Sequence, residues 1–130
     1  GRFLAISEGS FETFTPGVMN IQIIVPPGTA QFSYGIFDGD SPGASPTGHW
    51  DLGVASEFSY VLFIDPDLDN TGTIASQTMA TGLPSNDWMD FTINTDPSAL
   101  DGNGNFVYTL QITLLDDVNT LNLFKVRSSE

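Results

Sequence analysis

The chain has 130 residues and carries 16 acidic against 3 basic side chains, a formal net charge of −13. A surface this negative repels phosphate backbones and anionic lipid, which excludes nucleic acid and disfavours direct membrane insertion or docking. With no cysteine, disulfides, thiolate metal sites and cysteine nucleophiles are excluded too.

Taken in chain order, the segments read as strands. No ten-residue window repeats its apolar residues at helical spacing without Gly, Pro or Asp intervening. A weak strand is expected near Phe3 to Ile6. "MNIQIIV" (19–25) follows, stopped by Pro26-Pro27-Gly28, and then "QFSYGIF" (31–37), stopped at Asp38. The long connection 38–57 is expected to cross the molecule through 52–57 before "FSYVLFI" (58–64) begins. Residues 71–85, "TGTIASQTMATGLPS", read as a long small-residue loop of the kind that often carries function. "DWMDFTIN" (87–94), "NFVYTLQITLL" (105–115) and "LNLFKVR" (121–127) complete the set. Within 105–115, Phe106, Tyr108, Leu110, Ile112 and Leu114 alternate with Val107, Thr109, Gln111 and Thr113, one face for a core and one largely for water. Seven or eight such strands predict a single all-β domain over 1–130, an antiparallel two-sheet β-sandwich. No signal peptide or transmembrane run is present, and the start "GRF" suggests a domain excised from a larger extracellular protein.

Asp outnumbers Glu twelve to four. Glu suits solubilising helices, whereas Asp suits turns and compact oxygen-ligand sites. If strands alternate direction as assumed, Asp38, Asp40, Asp51, Asp65, Asp67, Asp69, Asp87, Asp90, Asp116 and Asp117 share one end. Asp96 and Asp101 are then left at the other. Asp65, Asp67 and Asp69 alternate in "DPDLDN", and like charges that close keep their charge only with compensation. Hard oxygen ligands at this spacing suit Ca²⁺, which accepts six to eight oxygens in tolerant geometry. Mg²⁺ demands a tighter octahedron, and Zn²⁺ wants His or Cys, of which there is only His49.

"DPDLDN" begins like an EF-hand loop but has Asn70 at its sixth position, Ser76 at its twelfth and no flanking helix. By itself it reads as an Asx-rich turn, as does "DGNGN" (101–105). His49 reads as a loop residue. Trp50 and Trp88 stand beside acidic residues; each reads either as core or as an aromatic platform for a sugar or peptide. Lys125 and Arg127 are expected to pair with nearby carboxylates.

On "IFDGD", "IDPDLD" and "NDWMD", the chain resembles the calcium-binding C2-like β-sandwiches, and is equally similar to calcium-dependent binding sandwiches of large bacterial surface proteins and adhesins. The resemblance implies a C2-like or jelly-roll-like sandwich binding Ca²⁺ through Asp38, Asp40, Asp51, Asp65, Asp67, Asp69, Asp87 and Asp90. It implies a secreted or cell-surface, carbohydrate- or protein-binding adhesion module. The basic patch usual in membrane-binding C2 domains is missing, which favours the extracellular branch over a calcium-dependent membrane-binding domain. The competing reading is a structural spacer that calcium rigidifies. Catalysis ranks below both, because no Ser/His or Lys arrangement offers a nucleophile with its base and a domain of this size rarely encloses a cleft for paired carboxylates.

Overall fold

In the computed structural model, the described residues are 3–11, 17–38, 52–53, 58–79, 87–114 and 119–129. They form nine strands: β1 (Phe3–Phe11), β2 (Val18–Val25), β3 (Gln31–Asp38), β4 (Leu52–Gly53), β5 (Phe58–Ile64), β6 (Thr73–Met79), β7 (Trp88–Asn94), β8 (Phe106–Leu114) and β9 (Asn119–Ser129). One turn of 3-10 helix, Pro97–Ala99, interrupts the β7–β8 connection.

The strands make two antiparallel sheets. The first has the order β1-β9-β3-β7, with β4 added against β9, and the second has the order β2-β8-β5-β6. Alternation explains how they meet. Phe32, Tyr34 and Ile36 of β3 and Val126 of β9 point inward from the first sheet. Ile23 and Val25 of β2, Tyr60 and Leu62 of β5, and Tyr108, Leu110 and Ile112 of β8 meet them from the second. The result is an all-β sandwich with one core, as expected.

Two expectations about its connections fail. Residues 73–79 are a strand, not part of a loop. "TIASQTM" lacks the aromatic alternation of a central strand, and β6 is the edge of the second sheet, where one face and one side meet water.

The second failure concerns direction. No crossing strand intervenes among the described residues between β3 and β5. The short β4 pairs only with Leu121 and Asn119, where β9 begins, and that is the end at which β3 finishes. β5 therefore starts where β3 stops and runs back. The cross-sheet contacts confirm it. Phe32, near the start of β3, packs on Tyr108 with ring centroids 4.9 Å apart. Tyr108 in turn pairs with Ile64, the last residue of β5. Asp65 thus follows β5 at the end where β3 begins, and Asp38 lies at the opposite end.

Candidate functional site

The aspartates expected at one end are divided between two. Asp65, Asp67 and Asp69 occupy the β5–β6 turn, at the same end as Asp96, whose backbone N–H donates to the Tyr108 hydroxyl at 3.0 Å. Asp38 and Asp87 belong to the other end: β3 and β7 pair Phe37 with Trp88, and each aspartate adjoins one of these two residues in the chain. Asp90 lies inside β7 opposite Gly35 and is exposed. Asp40, His49, Trp50, Asp51, Asp116 and Asp117 fall outside the described residues. Among the described residues no three of Asp, Glu and His gather closely enough to hold a metal ion together.

The β5–β6 turn is organised by Asp65, which is only 1% exposed. One of its carboxylate oxygens accepts the Asp69 N–H at 3.0 Å; the other accepts the Asn70 N–H at 3.0 Å and the Thr109 hydroxyl at 2.6 Å. Its own N–H donates to the Val107 carbonyl at 3.0 Å, and its carbonyl accepts Leu68 N–H at 3.2 Å. Burial alone would raise the Asp65 pKa. The hydrogen bonds from Thr109, Asp69 and Asn70 outweigh it and hold the carboxyl below its usual value. The compensation for this buried charge is thus supplied by the loop's own amides and one hydroxyl.

The backbone bends sharply to make those amides converge. Leu68 and Asn70 adopt left-handed φ of 56° and 62°, a region in which Asn is well tolerated and Leu is not. At Gly72, φ is 154° and an added Cβ would run into the Ile64 carbonyl oxygen, so glycine is required there. Asp67 and Asp69 stay exposed, and Asp69 accepts the Thr71 N–H at 3.2 Å.

Other described aspartates act in the same way. Asp101 accepts the N–H groups of Asn103 and Asn105 at 2.8 and 3.0 Å, the turn expected of "DGNGN". Asp96 caps the 3-10 turn through the Ser98 N–H at 2.9 Å and hydroxyl at 2.8 Å, which hold its carboxyl below the usual value. Asp87 accepts the Trp88 N–H at 2.8 Å.

Thr109 is the residue that sequence reasoning missed. It alternates as a water-facing position of β8, yet it and Val107 are buried, because the turn after Asp65 folds back over this end of the outer face. No local pattern signals a contact with a residue 44 positions away.

Trp88 is half-buried, with its ring 5.6 Å from that of Phe37 and tilted by 60°. Its strand shows Asp90, Thr92 and Asn94 on the same outer face. There Thr92 and Ser33 hydroxyls lie 3.2 Å apart, and the Gln31 side-chain amide donates to the Asn94 side-chain oxygen at 2.7 Å. On the other neighbour of β3, Lys125 and Arg127 stand opposite Phe37 and Gly35.

A groove of about 360 Å³ runs between the edges of β6 and β7, lined by Ile64, Ile74, Ile93, Asn94, Asp96 and Tyr108 among others. Nearby, the Tyr34 hydroxyl donates to Ser76 at 2.7 Å and ties the two sheets together. Burial pushes the Tyr34 and Tyr108 hydroxyls above their usual pKa, so both remain protonated at neutral pH.

No family model matches the chain, and no curated protein matches it. One solved chain, from a structure described as "Bacillus endospore appendages form a novel family of disulfide-linked pili", aligns over 98% of this chain and 88% of its own length. The identity is 10% and the TM-score 0.34, a likeness too slight to carry any argument about function.

Proposed function

We propose that the chain is a non-catalytic β-sandwich module of a secreted or cell-surface bacterial protein. It binds a glycan or protein ligand where β3 ends and β7 begins, with calcium held at that end. The observation that supports this reading is the β3–β7 register. It pairs Phe37 with Trp88, which gathers Asp38 at the end of β3 and Asp87 just before β7 at one end, and puts Asp90 on the face that Trp88 shares. Carboxylates gathered at one end repel one another, and a divalent cation between them relieves that repulsion. An indole at the same end gives a sugar ring an apolar face to stack on while the ion binds hydroxyls.

The test is calorimetric titration of chelator-stripped protein with Ca²⁺, repeated for Asp38→Ala, Asp87→Ala and Asp67→Ala. Saturable binding that the first two variants lose and the third keeps supports the site. Glycan and peptide screening with and without calcium, and with Trp88→Ala, then reads the ligand. Binding that survives in both Asp38→Ala and Asp87→Ala sinks the metal assignment.

A second reading, a structural spacer without a ligand of its own, is favoured by the Asp65 turn. Its buried charge is met inside the fold, which stiffens this end of the domain with no ion. Absence of calcium binding and of any screened ligand would favour it.

A further inference from the structure

We propose that Asn103, in the turn just before β8, is a site of spontaneous covalent modification, where the carboxamide is lost through a cyclic imide closed by the Gly104 backbone nitrogen. The residue after an asparagine governs this reaction. A β-carbon there crowds the approach of its nitrogen to the carboxamide carbon and stiffens the backbone that must rotate, and glycine has none. Of the eight asparagines in the chain, Asn103 alone precedes glycine. Asn20 precedes Ile21, Asn70 precedes Thr71 and Asn105 precedes Phe106.

The turn leaves both reacting groups accessible. Asn103 is exposed, and among the described residues no hydrogen bond holds its carboxamide. By contrast, the Asn94 side-chain oxygen accepts the Gln31 amide at 2.7 Å, and that of Asn20 accepts the Gln111 amide at 3.1 Å. The attacking nitrogen is loosely held: the Gly104 N–H donates to the Asp101 carbonyl at 3.3 Å, a long and weak bond. At Gly104 φ is 81°, and an added Cβ would come no nearer than 3.7 Å to the Pro27 side chain, so the backbone has room to turn. Asp101 also precedes a glycine, yet it is pinned. Its carboxylate accepts the Asn103 and Asn105 N–H groups at 2.8 and 3.0 Å, which keeps it on those residues and off the Gly102 nitrogen.

The step needs water and no other reactant. The Gly104 nitrogen bonds to Asn103 Cγ and gives up its proton, the Cγ–Nδ2 bond breaks, and ammonia leaves with a proton taken back from water. Water then adds to the imide. Opening at Cγ gives aspartate, whereas opening at the main-chain carbonyl gives isoaspartate, whose backbone runs through Cβ and is one methylene longer. Either product adds a carboxylate two residues from Asp101 to a chain already at −13. Isoaspartate also changes the spacing between Asp101 and Asn105, whose paired backbone bond at 2.9 Å closes this turn beside the Leu100–Phe106 bridge.

Peptide mapping by mass spectrometry tests this on the whole folded chain, held in mildly alkaline buffer until the same chain denatured in urea has lost its Asn103 carboxamide. Fragmentation that distinguishes isoaspartate from aspartate reads the route. In the folded chain Asn103 should be the first asparagine converted, with isoaspartate among the products and an acid-shifted species growing in step on ion exchange. Asn103→Ser has no carboxamide and keeps the backbone bonds of the turn, so it should not form that species; circular dichroism confirms that it folds. An Asn103 still intact in the folded chain at that time overturns the proposal. So does faster loss at another asparagine, aspartate with no isoaspartate, or an acid-shifted species that builds equally in Asn103→Ser.

Discussion

The Thr109 hydroxyl donates a 2.6 Å hydrogen bond to Asp65, and this single contact ties the β5–β6 turn to the middle of the second sheet. Both side chains are buried, on a sheet face whose exposed edge at β2 is open to water. The carboxylate also orders Asp69 and Asn70, so turn geometry and burial of β8 depend on one side chain.

Removing that side chain should therefore destabilise the whole domain. Hydrogen bonds to charged groups contribute about 1.5–3 kcal/mol each, and unpaired buried donors add a penalty, so Asp65→Ala should lose about 3 kcal/mol or more. Thr109→Val should lose about 1–2 kcal/mol, because Asn70 still bonds the same oxygen. Urea denaturation of both variants and the double variant gives their coupling. Losses that simply add would show that the bond contributes nothing specific.

The same carboxylate sets a pH dependence. Its folded-state pKa is depressed: burial pushes upward, and the Thr109, Asp69 and Asn70 hydrogen bonds pull further down. A depressed carboxyl contributes stability that is present above the unfolded value, about 3.9, and is lost as pH falls through the folded value. Exposed Asp96, held down by Ser98, has the same sign. Urea midpoints measured from neutral pH into the acid range should fall for the wild type, and less steeply for Asp65→Asn relative to its own neutral value. Parallel curves would remove Asp65 from the acid transition.

Gly72 and Gly102 make a matched pair. A Cβ at Gly72 meets the Ile64 carbonyl at a φ that side chains seldom adopt, whereas the space around Gly102 is open. Gly72→Ala should lose about 3 kcal/mol or more, and Gly102→Ala should lie within about 0.5 kcal/mol of the wild type. Thermal melts separate the two directly, and equal losses would mean that the turn relaxes around the added methyl group.

Tyr34 and Ser76 bond between facing strands of different sheets. Ser76→Ala leaves a part-buried phenol without this acceptor and should lose about 1–2 kcal/mol. Tyr34→Phe combined with Ser76→Ala should recover part of that loss, because no polar atom is then stranded. A double variant as unstable as the sum of its parts would assign the cost to packing.

Strands with branched or aromatic alternation were legible: β2, β3, β5, β7 and β8 lie within a residue or so of the segments that periodicity marks. β6 was not, since an edge strand of Thr, Ala, Ser and Gln is compositionally a loop. The site suffered from a single inference. Alternating strand direction is a sound rule for hairpins, but the passage from β3 to β5 changes sheet and returns at the same end, and one missed change of sheet moves Asp65, Asp67 and Asp69 to the far side of the molecule. The turn-forming character of "DPDLDN" and "DGNGN" could be read locally, because Asx geometry involves neighbours only. The Thr109 contact could not.

Calcium must be separated from simple screening, because a domain of charge −13 gains stability from any salt that damps self-repulsion. Melting curves in calcium chloride, magnesium chloride and sodium chloride at matched ionic strength make the distinction. One site at a hundredfold excess over its dissociation constant adds about 2.7 kcal/mol, or about 10 °C for a domain of this size. The expected result is a calcium-specific rise beyond the sodium control, absent in Asp38→Ala and Asp87→Ala and retained in Asp67→Ala. Asp67 serves as the control because it is exposed at the opposite end, in a turn whose geometry Asp65 already secures. Equal rises in all three salts would assign the stabilisation to screening alone. A calcium-specific rise that vanishes only in Asp67→Ala would move the ion to the β5–β6 turn and away from Trp88.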